Sequence, residues 1–178
     1  MNIITAPNNG NYFYIRPDTS ICRDGNDYFC LDNILELTAY SFIYAKIDRA
    51  AKCVRSRFAE RYYKCFGYGI HLSASVLDNK ERQDDNLKWY VANSLDCSTF
   101  LSKTESYIDS NNKEHYDIIK QFNLALENIS SNVSIRIGDL LVLENTIEPL
   151  TIIQRKPDAQ IGISDIVKYK DIEVNIRW

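Results

Sequence analysis

Residues 37–45 read LTAYSFIYA. Alternate positions form two rows, with Leu37, Ala39, Ser41, Ile43 and Ala45 on one side and Thr38, Tyr40, Phe42 and Tyr44 on the other. Successive side chains of a strand point to opposite faces. Both faces of this strand are therefore mostly apolar, which predicts a central strand covered on both sides.

The chain can be read outward from there. YGIHLSASVL at 68–77 is a second buried strand, carrying His71, one of only two histidines. Between the two strands, SRFAERYYKCF at 56–66 places Phe58, Tyr62 and Cys65 at helical spacing behind Ser56 as N-cap, which predicts a short amphipathic helix. Toward the N-terminus, the extended run Tyr12–Arg16 is broken by Pro17, and Asp24-Gly25-Asn26-Asp27 turns the chain into Tyr28–Leu31. Toward the C-terminus, the charge run DNKERQDDNLK at 78–88 reads as a solvated loop. A polar stretch at 102–117 reads as a hairpin turning near 110–112. Ile118, Ile119, Phe122, Leu124, Leu126 and Ile129 predict a helix over 115–129. IRIGDLLVLE then turns at Ile-Gly-Asp into a strand, and PLTIIQ and DIEVNIRW are further strands, the last reached through a turn at 168–171. The fold class is α/β in the α+β sense and β-rich, without regular βαβ alternation.

A length of 178 residues suits a single domain spanning 1–178. Charges of 21 Lys+Arg against 24 Asp+Glu give −3, and the two signs are scattered. No basic stripe is available for nucleic acid. No run approaches a membrane span, and MNIITAPNNG has neither a basic n-region nor an apolar h-region. The expected setting is therefore cytoplasmic, with no nucleic-acid or membrane partner. Cys22, Cys30, Cys53, Cys65 and Cys97 show no CxxC spacing and are expected as buried free thiols rather than a zinc site.

The common catalytic motifs are missing. There is no G-x-G-x-x-G, no Walker loop and no G-x-S-x-G, so the backbone devices for dinucleotides, nucleotide phosphates and acyl-enzyme chemistry are not present. A Cys-His pair from Cys65 or Cys97 with His71 or His115 would need spatial adjacency. His71 in an apolar strand is either a hydrogen-bonded core residue or an acid/base near neutrality.

The collinear order of segments resembles the fumarylacetoacetate hydrolase family from about residue 15 to 178. RPDTSICRDGNDYFCLD is similar to a family strand with a Pro, a Ser and a turn. YSFIYAKIDRAAKCV resembles the family strand ending in Ile-Gly-Lys, followed by a short helix. LSA at 72–74 falls on the Ser-Ala of Asn-Asp-x-Ser-Ala-Arg-Asp, and ANSLDCSTF at 92–100 on Gly-Lys-Ser-Phe-Asp. IRIGDLLVL resembles the x-Pro-Gly-Asp-Val-Ile strand.

The resemblance implies the mixed β-sheet roll of the family's C-terminal domain, with two short helices, an internal pocket and frequent dimerisation. It also implies cleavage, decarboxylation, hydration or isomerisation of dicarbonyl acids on a Mg²⁺ or Ca²⁺ held by Glu-x-Glu and an Asp. In the register that matches Ser41, Ala45 and Lys46, the Glu-x-Glu pair falls on Leu37 and Ala39. Sliding by one residue gives Glu36 and Thr38 and inverts the strand faces. The metal Asp falls on His71, the Arg of Ser-Ala-Arg on Ser75 and the Lys of Gly-Lys-Ser on Asn93, with Ser94 and Asp96 as remnants.

The expectation is thus a protein without the family's metal ligands and without a cofactor. It would act as a binding or partner subunit, as a homodimer or in a hetero-oligomer with an active relative. The alternative is a metal-free enzyme on a dicarbonyl, acyl or polyketide-like substrate, with His71 as acid/base and Asn93 or Ser75 hydrogen-bonding an oxyanion. Leu37, Ala39, Ser41, Ser94 and Asp96 would line the pocket for a small-molecule ligand.

Overall fold

The computed structural model describes residues 1–7, 12–77, 85–108, 112–155 and 164–178. Its strands are β1 (Ile3–Pro7), β2 (Tyr14–Arg16), β3 (Asp27–Phe29), β4 (Ile34–Ile47), β5 (Tyr63–Leu77), β6 (Thr99–Leu101), β7 (Ser106–Tyr107), β8 (Leu140–Glu144), β9 (Thr151–Gln154), β10 (Ser164–Tyr169) and β11 (Ile172–Arg177). Two α-helices accompany them, α1 (Asp85–Ala92) and α2 (Lys113–Asn132), with short 3₁₀ turns at Asp18–Ser20 and Ser56–Arg61. The architecture is the sheet-dominated α+β class expected. Among the described residues no helix is long and apolar enough to cross a membrane.

The chain forms two compact units, and the long strands β4 and β5 contribute to both. The first unit comprises Met1–Asp18, Phe42–Tyr68 and Thr104–Ile147. Here β1 lies parallel to β8, with Ile4 opposite Leu141, and antiparallel to β2. β8 pairs antiparallel with β4, setting Leu143 opposite Ile43. The predicted helix at 115–129 is present and extends through Lys113–Asn132. Its Phe122, Ala125, Leu126 and Ile129 pack on Ile4, Ala6, Ala45, Ile47 and Leu141, an apolar stripe at three- and four-residue spacing meeting one sheet face. Leu124, counted with that stripe from sequence, faces solvent. The Ile-Gly-Asp turn is also found. Gly138 sits at φ +88, and the buried Asp139 carboxylate accepts the N–H groups of Asn2 and Arg136 at 2.8 Å each.

The second unit comprises Thr19–Ser41, Gly69–Lys103 and Glu148–Trp178. β4 pairs with β9, and β5 with β6. A separate sheet orders β10, β11 and β3. Its parallel pairing of β11 with β3 is held at the side-chain level by Asp27, which accepts from Arg177 Nε at 2.7 Å and Asn175 Nδ2 at 2.8 Å.

Three expectations are corrected. The helix over 56–66 is only a 3₁₀ turn, because Ala59 is its one buried residue and a short helix without a packed stripe does not hold. Tyr63 onward is drawn instead into β5. The pair of short helices becomes one helix of 20 residues and one of 8, the latter beginning inside the charge run read as loop. The start of that run, 78–84, and the proposed hairpin apex at 110–112, save Asn112, lie outside the described residues. β1 went unread because a strand paired on both sides and buried throughout shows no alternation.

Two outcomes test this architecture. A Cβ at Gly67 would sit 2.6 Å from the buried Tyr44 ring, whose hydroxyl donates to Glu105 at 3.1 Å. Gly67→Ala is expected to lose about 1–3 kcal/mol by overpacking, against about 1 kcal/mol for Gly25→Ala, where only the positive φ matters; urea denaturation measures both. The Arg177 hydrogen bond first, and Asn175 second, hold the Asp27 carboxyl below its ordinary range. A depressed folded value stabilises above the unfolded carboxylate range and is lost as pH falls through the folded value. The Tm deficit of Asp27→Asn relative to the parent should therefore be largest near neutrality and vanish in acid.

Candidate functional site

Period-two alternation in β5 sets Ile70, Leu72 and Ala74 on one face and His71, Ser73 and Ser75 on the other. The first three belong to an apolar cluster with Leu37, Ala39, Phe100, Ile153 and Val174. The second three belong to a polar layer. Thr38 and Ser75 are hydrogen-bonded through their hydroxyls, which fixes Thr38, and by alternation Glu36, on the His71 side. Ser73 Oγ donates to Asn93 Oδ1 at 3.2 Å, and Asn93 Nδ2 donates to the Trp89 carbonyl of α1 at 2.9 Å. His71 pairs in register with Thr99, whose hydroxyl meets that of Ser20 at 3.3 Å. His71, Thr99 and Ser20 are all 0 % exposed.

The expected site residues therefore divide. His71, Asn93 and Ser75 share the polar layer, with Ser73 linking its histidine segment to α1. Leu37 and Ala39 do not line it. They are fully buried in the apolar cluster on the opposite face of β4, and Ser41 falls in their row. The slid register, Glu36 and Thr38, is the one that shares a face with His71. Ser94 turns back to cap α1, its Oγ donating to the Tyr90 carbonyl at 2.8 Å. Asp96 is exposed and lines a cavity of about 670 Å³ together with Thr19, Ile21, Cys22, Tyr28 and Cys97. The resemblance points to Thr38 through the slid register, but not to Ser73, Ser20 or Thr99. The His-x-Ser-x-Ser alternation of 71–75 was the signal for Ser73. Ser20 and Thr99 come from distant segments and had none.

Glu36, the one carboxylate of this face, accepts from Gln154 Nε2 at 2.9 Å. The five cysteines are free, but none is buried: Cys53 and Cys97 are exposed and the rest half-buried, contrary to expectation. Cys22 and Cys30 pack against the edge of the second unit's apolar cluster without being buried in it.

No family sequence model and no curated protein matches this chain. Solved structures do. An inferred fumarylacetoacetate isomerase/hydrolase from Oleispira antarctica superposes with a TM-score of 0.69 at 12% identity, over 99% of this chain and 92% of that one. The fold is that of the fumarylacetoacetate hydrolase family. Fumarylpyruvate hydrolase from Pseudomonas aeruginosa, in complex with Mn²⁺ and pyruvate, gives a TM-score of 0.66 at 11% identity over 99% and 88% of the two chains. 5-carboxymethyl-2-hydroxymuconate delta-isomerase from Mycobacterium smegmatis gives 0.64 at 12% over 98% and 77%.

The Mn²⁺ of the fumarylpyruvate hydrolase poses a test for the fumarylacetoacetate hydrolase fold seen here. A hard divalent cation needs several anionic oxygens. The face around His71 offers neutral hydroxyls, an amide, an imidazole and the single carboxylate of Glu36, and among the described residues no three His, Cys, Asp or Glu side chains converge. That donor set does not fit such an ion.

A fully buried imidazole in a packed layer contributes stability. His71→Ala is expected to lose about 2–5 kcal/mol, the range of large-to-small truncations in a core. Equilibrium urea denaturation is the measurement.

Proposed function

We propose that this chain is a divergent member of the fumarylacetoacetate hydrolase family that has lost the family's divalent-metal chemistry. It serves as a binding or partner subunit, either as a homodimer or beside a catalytically active relative. The observation that carries this reading is the Thr38–Ser75 hydroxyl contact. It puts Thr38, and by alternation the single carboxylate Glu36, on the His71 face, where the Ser73–Asn93 and Ser20–Thr99 pairs supply neutral hydroxyl and amide groups. A cytoplasmic setting accords with five free thiols.

The competing reading, a metal-free enzyme using His71 as acid/base, asks the imidazole to reach a substrate. Its 0 % exposure, and the engagement of the Asn93 amide with Ser73 and the Trp89 carbonyl, argue against it.

The test is calorimetric titration with Mn²⁺. The parent chain is expected to show no stoichiometric binding tighter than about 1 mM. Thr38→Glu combined with His71→Asp sets three carboxylates, with Glu36, on one face, and this variant is expected to bind once circular dichroism shows it folded. Stoichiometric Mn²⁺ binding by the parent overturns the proposal.

A further inference from the structure

Residues 19–22 and 97–99 of the second unit run side by side. Ile21 forms a parallel bridge with Thr99, the Cys22 N–H donates to the Thr99 carbonyl at 2.8 Å, and the Cys97 N–H donates to the Thr19 carbonyl at 3.0 Å. Both cysteines are thus pinned by their own backbones to the opposite segment. Both line the cavity of about 670 Å³, and the two thiols are close enough for Cys97 to act electrostatically on Cys22. Cys97 is exposed and held at φ +52, a conformation uncommon for any residue but glycine. Cys22 is half-buried, its S–H directed at the Gly25 carbonyl at 3.6 Å.

We propose that Cys22 and Cys97 form a reversible dithiol–disulfide pair, which exchanges with low-molecular-weight disulfides such as glutathione disulfide. The exposed Cys97 thiolate attacks one sulfur of glutathione disulfide, forming a mixed disulfide and releasing one glutathione, which takes up a proton. Cys22 then gives its proton to solvent and attacks the Cys97 sulfur. That step forms the intrachain bond and expels the second glutathione. Two protein thiols are oxidised and one small disulfide is reduced to two thiols.

The order of attack follows from the surroundings. Burial first, and the neighbouring Cys97 second, hold the Cys22 thiol above its ordinary value, so Cys22 remains protonated while Cys97 meets solvent. Burial likewise pushes Cys30 and Cys65 up to about 11, which withdraws them from competition. The bond would tie together the two segments that supply Ser20 and Thr99 to the polar layer around His71. Oxidation therefore clamps the edge of that layer.

The experiment equilibrates the full chain in glutathione buffers of increasing oxidised fraction, quenches with acid, alkylates and maps the peptides by mass spectrometry. The exposed Cys53 is the internal reference. Cys22 and Cys97 are expected to disappear together about tenfold faster than Cys53, to yield a Cys22–Cys97 linked peptide, and to return with dithiothreitol. Folded Cys22→Ser should accumulate a persistent glutathione adduct at Cys97, and folded Cys97→Ser should lose the rapid phase at Cys22. Loss of Cys22 and Cys97 at the rate of Cys53, or linkage of either to another cysteine or another chain, overturns the proposal.

Discussion

The hydroxyl contact between Thr38 and Ser75 fixes how the two longest strands present their side chains. A strand has a period of two, so over 36–47 of β4 and 66–75 of β5 one contact assigns every other residue to a face. Leu37, Ala39, Ile70, Leu72 and Ala74 must then fall together on one face, and Glu36, Thr38, His71, Ser73 and Ser75 on the other. The apolar set is where the second unit's core is found. In the first unit the same row of β4 continues as Ala45 and Ile47, packed against α2. The other row brings Tyr44 against Gly67, a position where no side chain would fit. Core, polar layer and glycine placement in each unit thus follow from one parity.

A buried polar layer is stable only when its groups satisfy one another. Serine and threonine hydroxyls suit this because each both donates and accepts. Ser73 with Asn93 and Ser20 with Thr99 form hydrogen-bonded pairs inside the layer, and the buried Thr38 is bonded to Ser75 where the layer meets solvent. Carboxylates in the same positions would repel one another unless a cation held them. Hydroxyl groups on this face therefore shape its electrostatics within the strand geometry of the fumarylacetoacetate hydrolase fold.

Much of the fold was legible in the residues themselves. Alternation in 37–45 and 68–77 marks the two central strands. The stripe Ile119, Phe122, Leu126 and Ile129 marks α2, and Gly25 and Gly138 mark turns that need positive φ. Elements that depend on pairing were less legible. β1 lies between β2 and β8 with no polar row to betray it. The 3₁₀ turn at Ser56–Arg61 carries helical spacing, yet Phe58 lies half in solvent beneath the guanidinium groups of Arg57 and Arg61. Periodicity alone cannot tell a stripe that meets a core from one that meets only its neighbours.

The candidate site divides the same way. By itself the sequence determined that His71 stands in a buried strand, and that the positions where family resemblance seeks a Glu-x-Glu pair hold Leu37 and Ala39 in one register and a single carboxylate, Glu36, in the other. Only the tertiary structure decided which row of β4 shares a face with His71. The choice between Leu37 with Ala39 and Glu36 with Thr38 turns on a contact to Ser75, 37 positions away in the chain. Both rows of β4 are largely apolar, so local pattern weights them almost equally. The partner strand breaks that tie, because the buried Thr38 hydroxyl finds a hydrogen-bond partner in Ser75 on the adjoining strand.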